Sequence, residues 1–376
     1  MKVLLDNSNL FAGGGLQVAA SFLSDLKSLQ FIAEWHVVQS VKGAENFDTS
    51  NFPDNFIFYN LGKAEEISKS KRIIRIKNLE NSIQPDCIFT LFGPSYHKSK
   101  FPKIVGFAIP YILYPDSPFF NQIGFKEKIY YKLLSVLKTY SFKKYSDALI
   151  FETEDAKTIF TSKAKYTKDS FVVGNTLNEI FFAKGKLPEL KITDTTSLNI
   201  LFLTANYAHK NMQILPAVIE ILRNKKHLKD FKFLITMDKV DLNFPTSCEE
   251  NIIYLGKIPL EKIPSLYSNS DMVFIPTLLE VFSATYLEAM FMKKPIVASD
   301  LGFSRDICGD AALFCEPSNP EAYANAIFAL SHNEPLRNEL IDKGIENLKR
   351  FGASIDRTKA YVNIIKNLIT KNENTK

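Results

Sequence analysis

Residues 278–290 read LLEVFSATYLEAM, placing Glu280 and Glu288 in a run that is otherwise apolar, aromatic or small. A carboxylate in such surroundings is costly to bury alone, so it is solvated, paired or functional. On one continuous helix, positions i and i+8 lie about 80° apart around the axis. The spacing therefore does not put both carboxylates on one helical face. The preceding SDMVFIPT (270–277) is an apolar run of strand length ending near Pro276, while SATYLEAMFM (283–292) carries helix formers. The pair is read as spanning a strand, a turn and the first turns of a helix. Glu280 falls in the loop beyond the strand's carboxyl end, where open parallel sheets bind ligands, and Glu288 one to two turns inside the helix. The bland alternative is two solvated surface glutamates, and the rest of the chain decides between them.

Outward from this stretch, short apolar runs alternate with amphipathic ones almost throughout, the pattern of parallel sheets with crossover helices. Strands are expected at MKVLLDN, WHVVQS, FIFYNL, DCIFTLF, KIVGFAI, DALIFET and FVVGNT in the first half. The second half restarts with LNILFLTAN (198–206), then FKFLITM, NIIYLG, DMVFIP, KPIVASD and AALFCEP. The first helix is expected from near Gly15 and another from Asn211. A polar stretch without periodicity around 182–197, AKGKLPELKITDTTSL, reads as a linker. A length of 376 residues suits two domains. Two successive α/β domains predict a ligand cleft between them.

Composition is ordinary for a globular protein, with 46% hydrophobic and 23% charged residues, and only the tail KNENTK reads as frayed. The net charge of +5 is spread along the chain, which argues against nucleic acid as a partner. Two basic stretches stand out, KSKRIIRIK (69–77) and KEKIYYKLLSVLKTYSFKKY (126–145). The second, with aromatics and leucines between its lysines, reads either as a segment resting on an anionic membrane surface or as a core helix with a solvated lysine face. The four cysteines, Cys87, Cys248, Cys308 and Cys315, have no metal-ligand spacing and read as buried thiols in a reducing compartment. The first apolar run is too short for a secretion signal, and no stretch approaches the length of a membrane span. The expected location is cytoplasmic, with peripheral contact at the inner face of the membrane as a further expectation.

Two loops carry anion-binding chemistry. AGGGLQVA (12–19) lies between the first strand and first helix, where Gly14 and Gly15 let backbone amides approach a phosphate, although the dinucleotide GxGxxG spacing is missing. TANYAHKN (204–211) occupies the equivalent place in the second half, and its Lys210 ammonium can neutralise a diphosphate. An exposed lysine beside a helix start is the plainer reading of that residue taken singly. His209 beside it is more often structural than catalytic.

In this order the pieces resemble a known family. The segment from YLGKIPLEKIP to GDAALFCEP (254–317) looks like the donor-binding part of family 4 glycosyltransferases, and Glu280 and Glu288 match that family's E-x7-E motif. KPIVASD, the HKN segment and the N-terminal glycine loop agree in position. The resemblance implies an α/β GT-B fold: two facing Rossmann-like domains with parallel sheets and an interdomain cleft. It implies an acceptor-binding domain over 1–185, a donor-binding domain over 198–352, and a terminal helix within 353–376 that can pack back on the first. It also implies that Glu280 contacts donor-sugar hydroxyls, that Glu288 holds the nucleotide ribose, and that amides of Val281, Phe282, Ser283 and Ala284 meet the diphosphate. The chain departs from the family in three places. Val-Phe-Ser replaces the frequent Gly-Phe-Gly, Ala205 stands where an arginine is usual, and AIPYILYPDS offers Tyr114 and Asp116 where the family often has His-Asp.

The function this implies is that of a hexosyltransferase-class enzyme, retaining, moving a sugar from a nucleotide diphosphate sugar to an acceptor hydroxyl in bacterial surface polysaccharide biosynthesis. The acceptor is expected to be a glycan or lipid-linked glycan. No residue is marked as a covalent nucleophile. Front-face attack therefore fits best, with Lys210 and amides of Gly14, Gly15 and Ser283 stabilising the leaving group and Asp116 on the acceptor side. No cofactor is expected, and with no Asp-x-Asp motif no metal. The rival readings are a sugar-nucleotide 2-epimerase and a non-catalytic sugar-nucleotide binding protein.

Overall fold

The computed structural model describes residues 1–11, 13–29, 31–182, 190 and 197–374. The chain divides into two compact units, the first of Met1–Leu113, Tyr130–Asn175 and Gly352–Lys376, the second of Tyr114–Ile129 and Thr176–Phe351. Most of the stretch read as a linker lies outside the described residues.

The first unit is built on seven strands: β1 (Lys2–Asn7), β2 (Glu34–Gln39), β3 (Phe56–Asn60), β4 (Cys87–Thr90), β5 (Lys103–Phe107), β6 (Ala148–Phe151) and β7 (Asp169–Val172). All pairings are parallel and the order is β3-β2-β1-β4-β5-β6-β7. Strands such as CIFT and ALIF are buried along their whole length, as a parallel sheet covered on both faces demands. Helix Gly14–Ser28 and the terminal helix Ser354–Glu373 share one core with Val3, Leu5, Trp35 and Phe89. Asp25 of the first helix accepts hydrogen bonds from Ser354 (3.1 Å) and Thr358 (2.8 Å), and the Tyr361 ring meets Phe22 and Phe89 at 5.4 and 5.2 Å.

The second unit carries β8 (Leu198–Phe202), β9 (Phe231–Ile235), β10 (Ile252–Tyr254), β11 (Met272–Ile275), β12 (Ile296–Ser299) and β13 (Ala312–Cys315). They are again all parallel, in the order β10-β9-β8-β11-β12-β13. Phe202, Phe233, Phe274 and Tyr323 pack edge to face on one side of this sheet with helices Leu215–Asn224 and Pro320–His332. Tyr267, Tyr286, Leu287 and Phe303 fill the other side. In each sheet the order of strand addition therefore reverses once, between β1 and β4 in the first unit and between β8 and β11 in the second. Loops part there at the carboxyl ends of neighbouring strands, and doubly wound sheets bind ligands at such points.

Every expected strand is present, and each unit is Rossmann-like. The differences are local. The first helix starts at Gly14, because Gly13 at φ 69° makes the entering turn. The helix expected from Asn211 is delayed to Leu215, because Asn211 sits in the left-handed region at φ 57° and a 3-10 turn, Met212–Ile214, intervenes. Residues 114–129, expected in the first domain, group with the second unit, as do 176–182. The tail is helical to Glu373, with Lys371 paired to Asp169 at 2.7 Å; Thr375 and Lys376 lie outside the described residues. The basic stretch 69–77 opens helix Lys69–Ile83 and buries Arg72 and Ile76.

Candidate functional site

At the reversal point of the second unit, the loop after β8 carries Lys210 and the loop after β11 carries Glu280. The two loops are pinned together by their backbones and by side chains from 114–129. The Leu278 amide donates to the His209 carbonyl (2.8 Å), and Ser117 donates to the Leu278 carbonyl (2.6 Å). Gln122 donates to the Asn211 side-chain oxygen (2.8 Å), whose amide nitrogen donates to the Pro317 carbonyl (3.2 Å). This brings the Lys210 ammonium into an ion pair with Glu280 Oε1, both side chains mostly buried at 16% and 13% exposure. The other oxygen, Glu280 Oε2, is buried with no hydrogen-bond partner among the described residues, as is the Tyr286 hydroxyl. A buried carboxylate oxygen left unpaired is the kind of group a ligand hydroxyl satisfies. His209 stacks on Tyr207 at 5.5 Å, and burial together with the Lys210 charge lowers its pKa to about 4, so it is neutral near pH 7.

Beyond Glu280 the chain turns into helix Ala284–Phe291. Ser283 holds the N-cap position in an extended conformation, no side chain caps the helix, and its first turn contains no acidic residue. Such a helix start favours an anion through its unpaired amides and its dipole. Val281 and Ser283, which replace glycines common in the resembling family, are buried, so their bulk is packed away; Phe282 meets Phe351 edge-on at 6.1 Å. Glu288, one turn further on, is buried and accepts a hydrogen bond from Tyr267 (2.8 Å). Burial raises its pKa to about 7, against the opposing pull of the Tyr267 hydrogen bond and the Lys210 charge. The second unit thus brings Lys210, Glu280, Glu288 and residues 282–284 to one end of its sheet.

Asp116, in the same unit, is exposed in the turn before Ser117 and makes no hydrogen bond or ion pair among the described residues. Ala205, also exposed, provides no second cation beside Lys210. Gly14 and Gly15 lie in the first unit, at the start of its first helix, which likewise has no side-chain cap. A side chain at Gly14 would meet nothing within 4 Å, so its backbone is open to approach.

Sequence reasoning misses several residues. Tyr267 is joined to Glu288 only by tertiary packing, and nothing in the spacing marks it. At the carboxyl ends of β1 and β2, Asn7 Oδ1, Ser8 Oγ and Gln39 Oε1 are buried without partners among the described residues, and Asn7 and Gln39 are register neighbours. The signal for them is the polar run DNSN closing an apolar strand.

Residues 245–347 match the family model described as glycosyl transferases group 1. The chain is 23% identical over 222 residues to the O-antigen chain mannosyltransferase RfbU of Salmonella typhimurium, 56% of this chain and 57% of that one. The matches to curated relatives span between 22% and 57% of those proteins' own lengths. In fold, the chain resembles a sucrose-phosphate synthase from Thermosynechococcus elongatus, with a TM-score of 0.70 and 13% identity over 98% of this chain and 99% of that one. It also resembles Anabaena HepE, solved in complex with UDP-glucose, with a TM-score of 0.67 and 11% identity over 98% and 100% of the two chains.

Proposed function

We propose that this chain, which carries a glycosyl transferases group 1 segment over residues 245–347, is a retaining glycosyltransferase. It moves a sugar from a nucleotide diphosphate sugar to an acceptor hydroxyl, in the assembly of bacterial surface polysaccharide. The observation that carries the reading is the Lys210–Glu280 ion pair at the reversal point of the six-stranded sheet, with Glu280 Oε2 unpartnered beside an uncapped helix start. In this reading the diphosphate lies against the amides of Ser283 and Ala284 and the Lys210 ammonium. Glu280 accepts hydrogen bonds from sugar hydroxyls and Glu288 from the ribose. The similarity to a UDP-glucose-binding structure and to an O-antigen mannosyltransferase supports donor and pathway.

The chemistry follows from these positions. The bond from the anomeric carbon to the diphosphate oxygen breaks, and its electron pair stays on the phosphate, where Lys210 and the helix amides stabilise the growing charge. The acceptor oxygen attacks the same face and its proton passes to the departing phosphate oxygen. The charge-stabilising role falls to Lys210 and the amides rather than to a metal, so turnover is expected to survive a chelator. On the acceptor side, the reading assigns Asn7, Ser8 and Gln39 of the first unit to a glycan or lipid-linked glycan. The reaction is placed at the cytoplasmic face of a membrane, reached by peripheral contact.

The test incubates the chain with radiolabelled UDP, GDP and dTDP sugars, with and without a bacterial glycolipid extract, and reads the anomeric coupling of the product by NMR. Transfer that requires the extract and keeps the donor's anomeric configuration is expected. Release of free sugar from donor alone points to an epimerase, and binding without turnover to a non-catalytic protein; either result overturns the proposal.

A further inference from the structure

We propose that the outward face of helix Phe125–Tyr145 docks this protein on an anionic phospholipid bilayer. From Tyr130 onward the helix belongs to the first unit, and there its inner side is committed to the core: Ser141 and Phe142 are buried, and the Phe142 ring meets Phe107 at 4.8 Å and Phe160 at 5.8 Å. The outer side carries a second apolar row. Leu133, Val136 and Leu137 are 61–64% exposed, and Tyr140 is 51% exposed. Their spacing of i, i+3, i+4 and i+7 makes one continuous stripe on a helix, and the stripe begins a turn or two earlier with Phe125 and Ile129. Single exposed leucines are ordinary on protein surfaces, but a contiguous apolar row marks an interaction face.

The charges around the row select its occupant. The helix holds six lysines and one glutamate, and that glutamate accepts from the Gly124 amide (2.9 Å), capping the helix start. Lys132, Lys143 and Lys144 flank the row, and the Lys144 ammonium sits over the Tyr140 ring at 4.9 Å. Beside them runs a surface groove of about 600 Å3 whose lining includes the apolar or aromatic Ile112, Val136 and Tyr140 and the cationic Lys143 and Lys144. Apolar residues that can enter the acyl boundary, ringed by cations that can meet lipid phosphates, are the pattern of a helix lying in the membrane interface. Stacking the same face on a second copy would bring like charges together. Among the described residues no helix is long and apolar enough to cross a membrane, so the contact is with the surface.

This surface deepens the peripheral placement proposed above and rests on that reading. The experiment is flotation of the full chain with vesicles of phosphatidylcholine alone or mixed with phosphatidylglycerol, compared with Leu133→Ser/Leu137→Ser and Lys143→Glu/Lys144→Glu variants. Wild type is expected to float with the mixed vesicles only, less so as salt rises, and each double variant to bind about tenfold more weakly. All four positions are exposed, and unchanged melting curves show that the variants are folded. Failure of wild type to float, or equal flotation of the variants, overturns the proposal. So does a dimer, seen by sedimentation velocity, that the Leu133→Ser/Leu137→Ser variant dissociates, because the face then belongs to a second copy. Thermal shift with UDP and GDP sugars, without vesicles, reports the transferase reading separately. Docking without a donor response removes that reading alone, and a donor response without docking removes this one.

Discussion

Lys210 and Glu280, seventy residues apart in sequence, form an ion pair in which one carboxylate oxygen is satisfied and the other, Oε2, is buried and unpartnered among the described residues. The pair therefore holds the lysine in place while leaving Glu280 capacity for further hydrogen bonds. In the proposed function the lysine faces the diphosphate and the free oxygen faces the sugar.

Replacing Glu280 with alanine is expected to lower turnover and affinity for the intact sugar nucleotide while leaving affinity for the bare nucleoside diphosphate undiminished. Alanine removes the acceptor for the sugar hydroxyls, and the lysine released from its partner keeps its charge for the phosphates. Calorimetric titration with UDP and with UDP-glucose, or their guanosine counterparts, separates the two. Equal losses for both ligands would count against the assignment.

Glu288 sets a pH dependence whose sign follows from its raised pKa. Its carboxyl titrates near 4.5 when unperturbed and at about 7 in the folded protein. Between these values the folded state holds the proton more tightly than the unfolded state. Its contribution is thus fully present below the lower value and lost as pH rises through about 7. The size of this loss is on the order of 3 kcal/mol. Glu288→Gln should flatten urea stability measured across that window. Ribose hydroxyls donate to the ionised form, so wild-type nucleotide affinity should rise with pH over the same range. At pH 8 the glutamine variant should bind more weakly by roughly 1.5–3 kcal/mol. Matching pH profiles for the two proteins would remove Glu288 from the site.

Lys210→Ala should lower kcat by on the order of a hundredfold, with a smaller change in KM, because its proposed partner gains charge only as the glycosidic bond breaks. Ala205 supplies no replacement cation. A solvated surface lysine would instead shift the barrier by no more than about 0.5 kcal/mol. Steady-state kinetics on the two proteins decides between these outcomes.

The terminal helix depends on Asp25, which is buried and accepts from Ser354 and Thr358. Asp25→Ala removes the acceptor of two hydroxyls in a packed interface and should destabilise the first unit by about 2–3 kcal/mol. Urea unfolding should show a lower midpoint, and limited proteolysis should cut the helix Ser354–Glu373 first. A destabilisation under about 0.5 kcal/mol would mean that packing around Tyr361 alone holds it.

The strands are legible because parallel strands covered on both faces read as unbroken apolar runs, of which CIFT and MVFI are the plainest. The loop position of Glu280 and the helical position of Glu288 follow from the same logic. What escapes is long-range. Residues 114–129 join the second unit through Ser117 with the Leu278 carbonyl and Gln122 with Asn211, bonds that no local period records. The Lys210–Glu280 pair is hidden for the same reason, since in sequence each residue reads as facing a ligand alone. In helix Phe125–Tyr145, apolar residues lie on both faces, and only the packing of Phe142 shows which row the fold uses.

The most direct test of the donor site is calorimetric titration of wild type, Glu288→Gln and Lys210→Ala with UDP-glucose and GDP-mannose at pH 8. One of these sugar nucleotides is expected to bind wild type, with Glu288→Gln weakening it by at least roughly 1.5 kcal/mol and Lys210→Ala weakening it less, because the larger effect of the lysine falls on kcat. No binding of either sugar nucleotide to wild type, or binding that both substitutions leave unchanged, would contradict a donor site built on Lys210, Glu280 and Glu288.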